Sequence, residues 1–95
     1  MEKQGYIYLL ANKSNSVIYT GVTSSLKKRI YEHKNELVKG FTQRYKVHKL
    51  VYYEVFGSIQ DAIIREKQIK AGSREAKVKL IKTFNPFLMD LYDTI

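Results

Sequence analysis

Apolar and polar positions change period several times along the chain, and each change marks an element. From Gly5 to Ala11 the run Tyr6-Ile7-Tyr8-Leu9-Leu10-Ala11 leaves both faces of an extended chain apolar, as in a strand covered on both sides and central in its sheet. Asn12-Lys13-Ser14-Asn15-Ser16 is a polar turn cluster, and Val17 to Val22 resumes the β-branched and aromatic pattern, so the two runs predict a hairpin in which Tyr8 and Tyr19 lie near one another. Gly21 interrupts the second strand and marks a bend or a close backbone approach. The period then lengthens: Leu26, Ile30, His33 and Leu37 recur at spacings of four, three and four, which predicts an amphipathic helix capped by Thr23, Ser24 or Ser25 and running to about Leu37. Its other surface carries Lys27, Lys28, Glu32, Lys34 and Asn35.

Val38 to His48 has no clean period and reads as a basic loop bearing Phe41 and Tyr45; Leu50 to Phe56, rich in Val and Tyr, reads as a third strand. Ser58 with Asp61 three residues on marks a helix start, and Gly72 its stop. Ser73 caps a further helix through Phe84, ended by Asn85-Pro86. The tail Phe87 to Tyr92 is too apolar for a free terminus and is expected to dock on the body. The order strand, strand, helix, strand, helix, helix predicts a layered α+β domain on a three-stranded sheet.

Length and charge narrow the picture. Ninety-five residues accommodate one domain, spanning 1–95. The chain has no cysteine, which excludes disulfide frameworks and thiolate metal sites, and only two histidines, too few for a histidine-built metal centre. Seventeen Lys and Arg against nine Asp and Glu give a net charge of +8, a field that attracts polyanions such as nucleic acid. No apolar run reaches the ~18 residues of a membrane span, and the start Met1 to Gly5 lacks the features of a signal peptide, so a cytoplasmic protein without a membrane partner is expected.

Against this background Glu66 stands out. At ~100° per residue it falls within the apolar stripe formed by Ile59, Ala62, Ile63 and Ile69. A buried carboxylate costs several kcal/mol unless paired, metal-bound or open to a cleft. A surface pair with Lys70, worth only ~0.3–0.5 kcal/mol, does not offset burial. Ile64 lies off the stripe, in a position to contact the last helix. Arg29 and His33, four residues apart, emerge on one helix face, where a guanidinium can clamp a phosphate; equally, His33 can be a core imidazole and Arg29 a solvated charge. Phe41 and Tyr45, among Lys39, Arg44, Lys46 and Lys49, can stack on exposed bases or pack over the core.

Taken together, Tyr6-Ile7-Tyr8, Tyr19-Thr20-Gly21, Arg29, His33 and Glu66 resemble the GIY-YIG nuclease superfamily in order and spacing. The likeness extends through Leu50 to Glu54, Arg65 to Lys70 and Asn85-Pro86, and is nearest to small stand-alone bacterial members similar to the N-terminal nuclease domain of the bacterial repair excinuclease. Tyr6 stands in place of the first signature's glycine, and Thr20 in place of the second signature's isoleucine.

The resemblance implies an α/β/α sandwich with a three-stranded antiparallel sheet and a metal-dependent endonuclease acting on DNA, in repair or recombination. It implies one Mg²⁺ or Mn²⁺ ion on Glu66, Arg29 at the transition-state phosphate, and Tyr19 as general base or water-positioning group, with Tyr8 beside it and His33 assisting proton transfer. Lys27, Lys28, Arg44, Tyr45 and Asn85 are expected to contact the nucleic acid; RNA stays open as substrate, and a protein partner is expected to supply target specificity. Two readings from other classes remain: a basic nucleic-acid-binding module that cuts nothing, and a structural or protein-interaction domain.

Overall fold

The computed structural model describes residues 4–95; the leader reading of Met1 to Lys3 lies outside them. Strands β1 (Gly5–Ala11), β2 (Ile18–Thr23) and β3 (Lys49–Phe56) form one antiparallel sheet in the order β2-β1-β3, so the doubly apolar strand is central as its pattern demands. Helices α1 (Leu26–Lys34) and the short α2 (Phe41–Arg44) lie in the chain between β2 and β3; α3 (Ile59–Ala71) and α4 (Arg74–Phe84) follow β3, and a single 3-10 turn covers Tyr92–Thr94. None of the helices among the described residues is long and apolar enough to cross a membrane.

Alternation along β1 divides the molecule into layers. Ile7, Leu9 and Ala11 pack with Val51, Ala62, Ile69 and Ile81 under α3 and α4, whereas Tyr8 and Leu10 pack with Leu26, Ile30, Val47 and Leu50 on the α1 side. The result is the predicted three-layer α+β sandwich. In β3 a bulge breaks the alternation: Leu9 faces Tyr52 and Leu10 faces Leu50, leaving Val51 extra. The backbone carbonyl of Val51 accepts from Asn85 Nδ2 at 3.0 Å, and Leu50 exchanges bonds with the tail, its N–H donating to Asp90 Oδ1 at 3.2 Å and its carbonyl accepting from Leu91 N–H at 2.8 Å. The tail therefore docks as expected. Leu88 is buried and Leu91, Tyr92 and Ile95 pack on the core, while Phe87 and Met89 face outward.

Helix ends differ most from expectation. The first helix stops at Lys34, before Leu37, because Glu36 adopts φ 56° and the turn closes with Glu36 N–H to His33 O at 3.1 Å and Leu37 N–H to Glu32 O at 2.8 Å. A second closure of the same type converts part of the expected loop into α2: Lys46 has φ 56° and Val47 N–H donates to Thr42 O at 2.9 Å. The two left-handed residues are joined to each other, Lys46 Nζ to Glu36 Oε1, at 2.5 Å. Gly40, with φ 118°, supplies the entry to α2 that only glycine makes without strain. Ser58 and Ser73 cap α3 and α4 as predicted, accepting from Asp61 N–H at 3.2 Å and Ala76 N–H at 3.1 Å. Gly72 ends α3 in an extended conformation, not a left-handed one, and Ile64 points outward rather than onto α4.

Candidate active site

The α1 side of the sheet is where the apolar core gives way to chemistry. Tyr8 lies on β1 directly opposite Gly21 of β2, and a Cβ at position 21 would overlap the Tyr8 ring and hydroxyl. The glycine of the second signature is therefore the seat of the first signature's phenol. From that seat Tyr8 Oη meets His33 Nε2 at 2.9 Å, and His33 Nδ1 meets Thr42 Oγ1 at 3.0 Å, a chain linking β1, α1 and α2. Tyr19, diagonal to Tyr8 in the hairpin, completes the cluster with ring centroids 6.4 Å from Tyr8 and 5.8 Å from His33.

Burial governs the protonation of this chain. It pushes the Tyr8 phenol well above its ordinary range, Tyr19 adding to the effect, Arg29 opposing it, and the Glu32 and Glu66 charges reinforcing it. It pulls His33 down to about 4, helped by Arg29 and His48 and opposed by Glu32. At neutral pH both groups are uncharged. Tyr8 is thus a hydrogen-bond donor or acceptor and a poor base.

Arg29, on the same face of α1 as His33, lies at the rim of a cavity of about 180 Å³ lined by Thr23, Ser24, Ser25, Lys28 and Glu32. Its Nε is 3.6 Å from Glu32 Oε1, and its side chain is 42% exposed, so the guanidinium fork is steered but still open to an anion. Lys28 shares this rim. Lys27 does not: its ammonium sits 3.8 Å over the Tyr92 ring and donates to the Tyr92 carbonyl at 3.1 Å.

Glu66 lies between buried Ala62 and Ile69 on α3, and its side chain is only 12% exposed, in keeping with the stripe. Ile63 slides to the exposed edge of that stripe. The carboxylate's protein partner is Lys70, at 3.6 Å on an exposed side chain, which leaves acceptor capacity on both oxygens. Glu66 also contributes to the field at the Tyr8 phenol, as do Arg29 and Glu32 from α1. No cluster of three or more acidic, His or Cys ligands exists among the described residues. One underused carboxylate would suit a hard cation that keeps most of its waters.

Away from this centre, Tyr19 stacks on Phe41 at 6.0 Å and Phe41 contacts Tyr45 at 4.8 Å, with Arg44 5.6 Å above the Tyr45 ring. Phe41 and Tyr45 remain about half exposed and form a basic aromatic ledge running outward from Tyr19. Asn85 lies elsewhere in role: it is buried, and its amide is spent on the Val51 and Met89 carbonyls and the Met89 N–H, so it closes the bulge and the tail.

Two features escaped the sequence. Thr42 falls in a segment without periodicity, and only Gly40 hints at the turn that brings it under His33. On the opposite side of the sheet, Arg65 donates to Glu54 in two bonds of 2.9 and 3.1 Å, and Tyr52 donates to the same carboxylate at 2.5 Å. Burial raises the Glu54 carboxyl, but these bonds outweigh it and hold the group below its usual range; burial and the carboxylate push Tyr52 up to about 12.

Comparison with known proteins bears on the family and the fold. A UPF0213 protein of Staphylococcus saprophyticus is 40% identical over 76 residues, covering 80% of this chain and 92% of its own. A UPF0213 protein of Clostridium perfringens is 40% identical over 78 residues, covering 82% and 83%. The solution NMR structure of a UPF0213 protein from Bacillus halodurans superposes with a TM-score of 0.55 at 29% identity, covering 86% of each chain. The profile of the GIY-YIG catalytic domain matches residues 4–85, from the start of β1 through Asn85. The chain belongs to the GIY-YIG family and carries its nuclease-type domain.

Proposed function

We propose that this domain is a divalent-metal-dependent endonuclease that hydrolyses nucleic-acid phosphodiesters, with DNA as its first substrate. The observation that carries this reading is geometric: Tyr8, seated on Gly21 and 6.4 Å from the Tyr19 ring, meets His33 at 2.9 Å on the helix whose Arg29 borders an open cavity. Few structural reasons exist to gather a guanidinium, a half-free carboxylate and two phenols beside a neutral buried imidazole.

In this reading the scissile phosphate enters at the Arg29 rim, where the guanidinium fork holds its non-bridging oxygens and meets the charge that grows on them. Tyr19 orients a water for in-line attack; the new P–O bond forms as the bond to the leaving sugar oxygen breaks, the attacking water giving its proton to solvent and the leaving oxygen taking one from it. Tyr8 keeps its proton and fixes the geometry, and His33 stays neutral as the link between Tyr8 and Thr42. A Mg²⁺ or Mn²⁺ ion held by Glu66, waters and substrate would supply Lewis-acid stabilisation of the developing charge. Lys28, Arg44 and Tyr45 extend the contact along the strand, and Phe41 adds a stacking surface.

The test is cleavage of supercoiled plasmid and branched DNAs with Mg²⁺, Mn²⁺ or chelator, using the parent, Glu66→Ala and Arg29→Ala proteins. Each substitution is expected to cost a factor of roughly 10² or more in rate. Undiminished cutting by Glu66→Ala would sink the assignment of that residue. The basic aromatic ledge also supports a second reading, a binding module that cuts nothing: salt-sensitive binding indifferent to metal and to both substitutions would favour it.

A further inference from the structure

At the end of the sheet where β1 finishes and β3 begins, a cavity of about 370 Å³ is lined by Lys13, Lys34, Lys46, His48, Lys49 and Asp90. Its four lysines come from separate places: the β1–β2 turn, α1, the left-handed residue after α2, and the first residue of β3. None of these residues lines the Arg29 rim. On α1, Lys34 lies about 140° around the axis and roughly 7.5 Å along it from Arg29, so the two cationic sites occupy different sides of the helix.

Three of the four lysines are held by the protein itself. Lys34 pairs with Asp90 and lies 5.2 Å over the Tyr92 ring, its side chain only 24% exposed. Lys46 pairs with Glu36 at 2.5 Å, and Lys49 donates to Asn15 Oδ1 at 2.6 Å. An ammonium has three donors, so each keeps two after these bonds. The carboxylates do not balance the cluster. Asp90 Oδ1 accepts the N–H groups of Leu50 and Tyr92 at 3.2 and 3.0 Å, and its Oδ2 is taken by Lys34. Glu36 serves Lys46 and stands 3.5 Å from His48 Nε2. Lys13 and Lys49 have no carboxylate partner among the described residues. Docking of the tail accounts for Lys34, and closure of the turn for Lys49. Neither accounts for Lys13, nor for cationic charge converging on a cavity, where like charges repel and a bound anion relieves the repulsion.

We propose that this basic cavity is a phosphate seat, separate from the Arg29 rim, in which Lys13 and Lys49 supply the uncompensated charge and Lys34 a third, pre-positioned donor. A phosphate group fits because its several acceptor oxygens point in different directions and can meet lysines, each a compact point charge, arriving from different elements. The group belongs either to a nucleic-acid strand or to a free phosphate-bearing molecule; the chemistry that recognises it is the same. The seat needs no metal and no cleavage, so it stands apart from the nuclease reading.

The experiment is an NMR titration of the full chain without metal, at fixed ionic strength, with inorganic phosphate and separately with a short single-stranded DNA that lacks terminal phosphates. Inorganic phosphate is expected to shift the amides around Lys13, His48 and Lys49 to saturation, and chloride is not. Lys13→Gln, which removes no hydrogen bond among the described residues, is expected to weaken that binding on the order of fivefold, and Lys49→Gln likewise. Because Lys49→Gln also releases Asn15, Lys13→Gln decides where the two disagree. Arg29→Ala is expected to keep phosphate in the cavity. Shifts that never saturate, shifts confined to the Arg29 rim, or parent-like binding by Lys13→Gln would each overturn the proposal. The DNA separates the two sources. A strand that displaces inorganic phosphate from the cavity, with a salt slope lower by about one phosphate contact in Lys13→Gln, makes the seat part of a nucleic-acid track. A strand that leaves the cavity amides unmoved, while inorganic phosphate still saturates them, makes it a seat for a free phosphate.

Discussion

The two faces of the sheet are built from the same central strand and solve opposite problems. Under α3 and α4, β1 contributes Ile7, Leu9 and Ala11 to an apolar cluster whose ionic contacts sit at its margin, in the Tyr52-Glu54-Arg65 group and in Glu66 with Lys70. Under α1 and α2 the same strand contributes Tyr8 and Leu10, and there the buried set includes His33 and Thr42. One face is held together by apolar burial and shape. The other accepts polar groups in its interior, which is tolerable only because each ring nitrogen of His33 finds a partner. The lesson is that a 95-residue chain can place reactive side chains in its core if a separate apolar face carries stability.

Four substitutions or conditions break that division of labour, in falling order of effect. Leu9→Ala, on the apolar face, should cost about 2–5 kcal/mol in denaturant unfolding while leaving the Tyr8-His33 bond in place. If Leu9→Ala instead disrupts the His33 signals as strongly as it lowers stability, the faces are not separable.

Lowering pH from 7 to 5 attacks the polar face through His33. His33 has its pKa depressed from 6.5 to about 4, so the unfolded chain takes up a proton first as pH falls. The stabilisation is complete above about pH 6.5 and is lost between there and about 4; by pH 5 the loss is about 2 kcal/mol. Unfolding curves at pH 7 and 5 for the parent and His33→Gln measure it, and equal pH slopes for the two proteins would rule His33 out as the source.

Gly21→Ala forces the Tyr8 ring from its seat and should cost about 1–3 kcal/mol, with a disproportionate loss of any cleavage activity. Retained activity at lowered stability would mean that the position of Tyr8 is not critical. Arg65→Ala, at the partly exposed margin of the apolar face, should cost only about 1 kcal/mol and leave activity unchanged; a large loss of cutting would extend the site to the Glu54 ion pair.

Much of this architecture was legible in the chain because its signals are local. The doubly apolar run from Gly5 to Ala11 predicted a central strand, Ser58 and Ser73 predicted helix starts, and the spacing of Arg29 and His33 predicted a shared face. Glu66 was visible as a carboxylate in an apolar stripe, and it is nearly buried. Periodicity puts Ile63 in the same stripe but does not fix its burial, since a position at the edge is decided by how the helix rotates on its sheet.

What the sequence by itself determined, then, is the order of elements, the central strand, the family signature and the candidate groups, all encoded in the periodicity of neighbouring residues or in short fixed spacings. Tertiary structure alone decided where α1 ends, that Thr42 lies under His33, that Asn85 serves a bulge carbonyl, and that Lys27 is held by Tyr92. Two physical reasons account for them. Glu36 and Lys46 adopt left-handed conformations without the glycine that would announce them, stabilised by closing hydrogen bonds and by each other, and the remaining contacts join residues 9 to 65 positions apart that no local pattern couples.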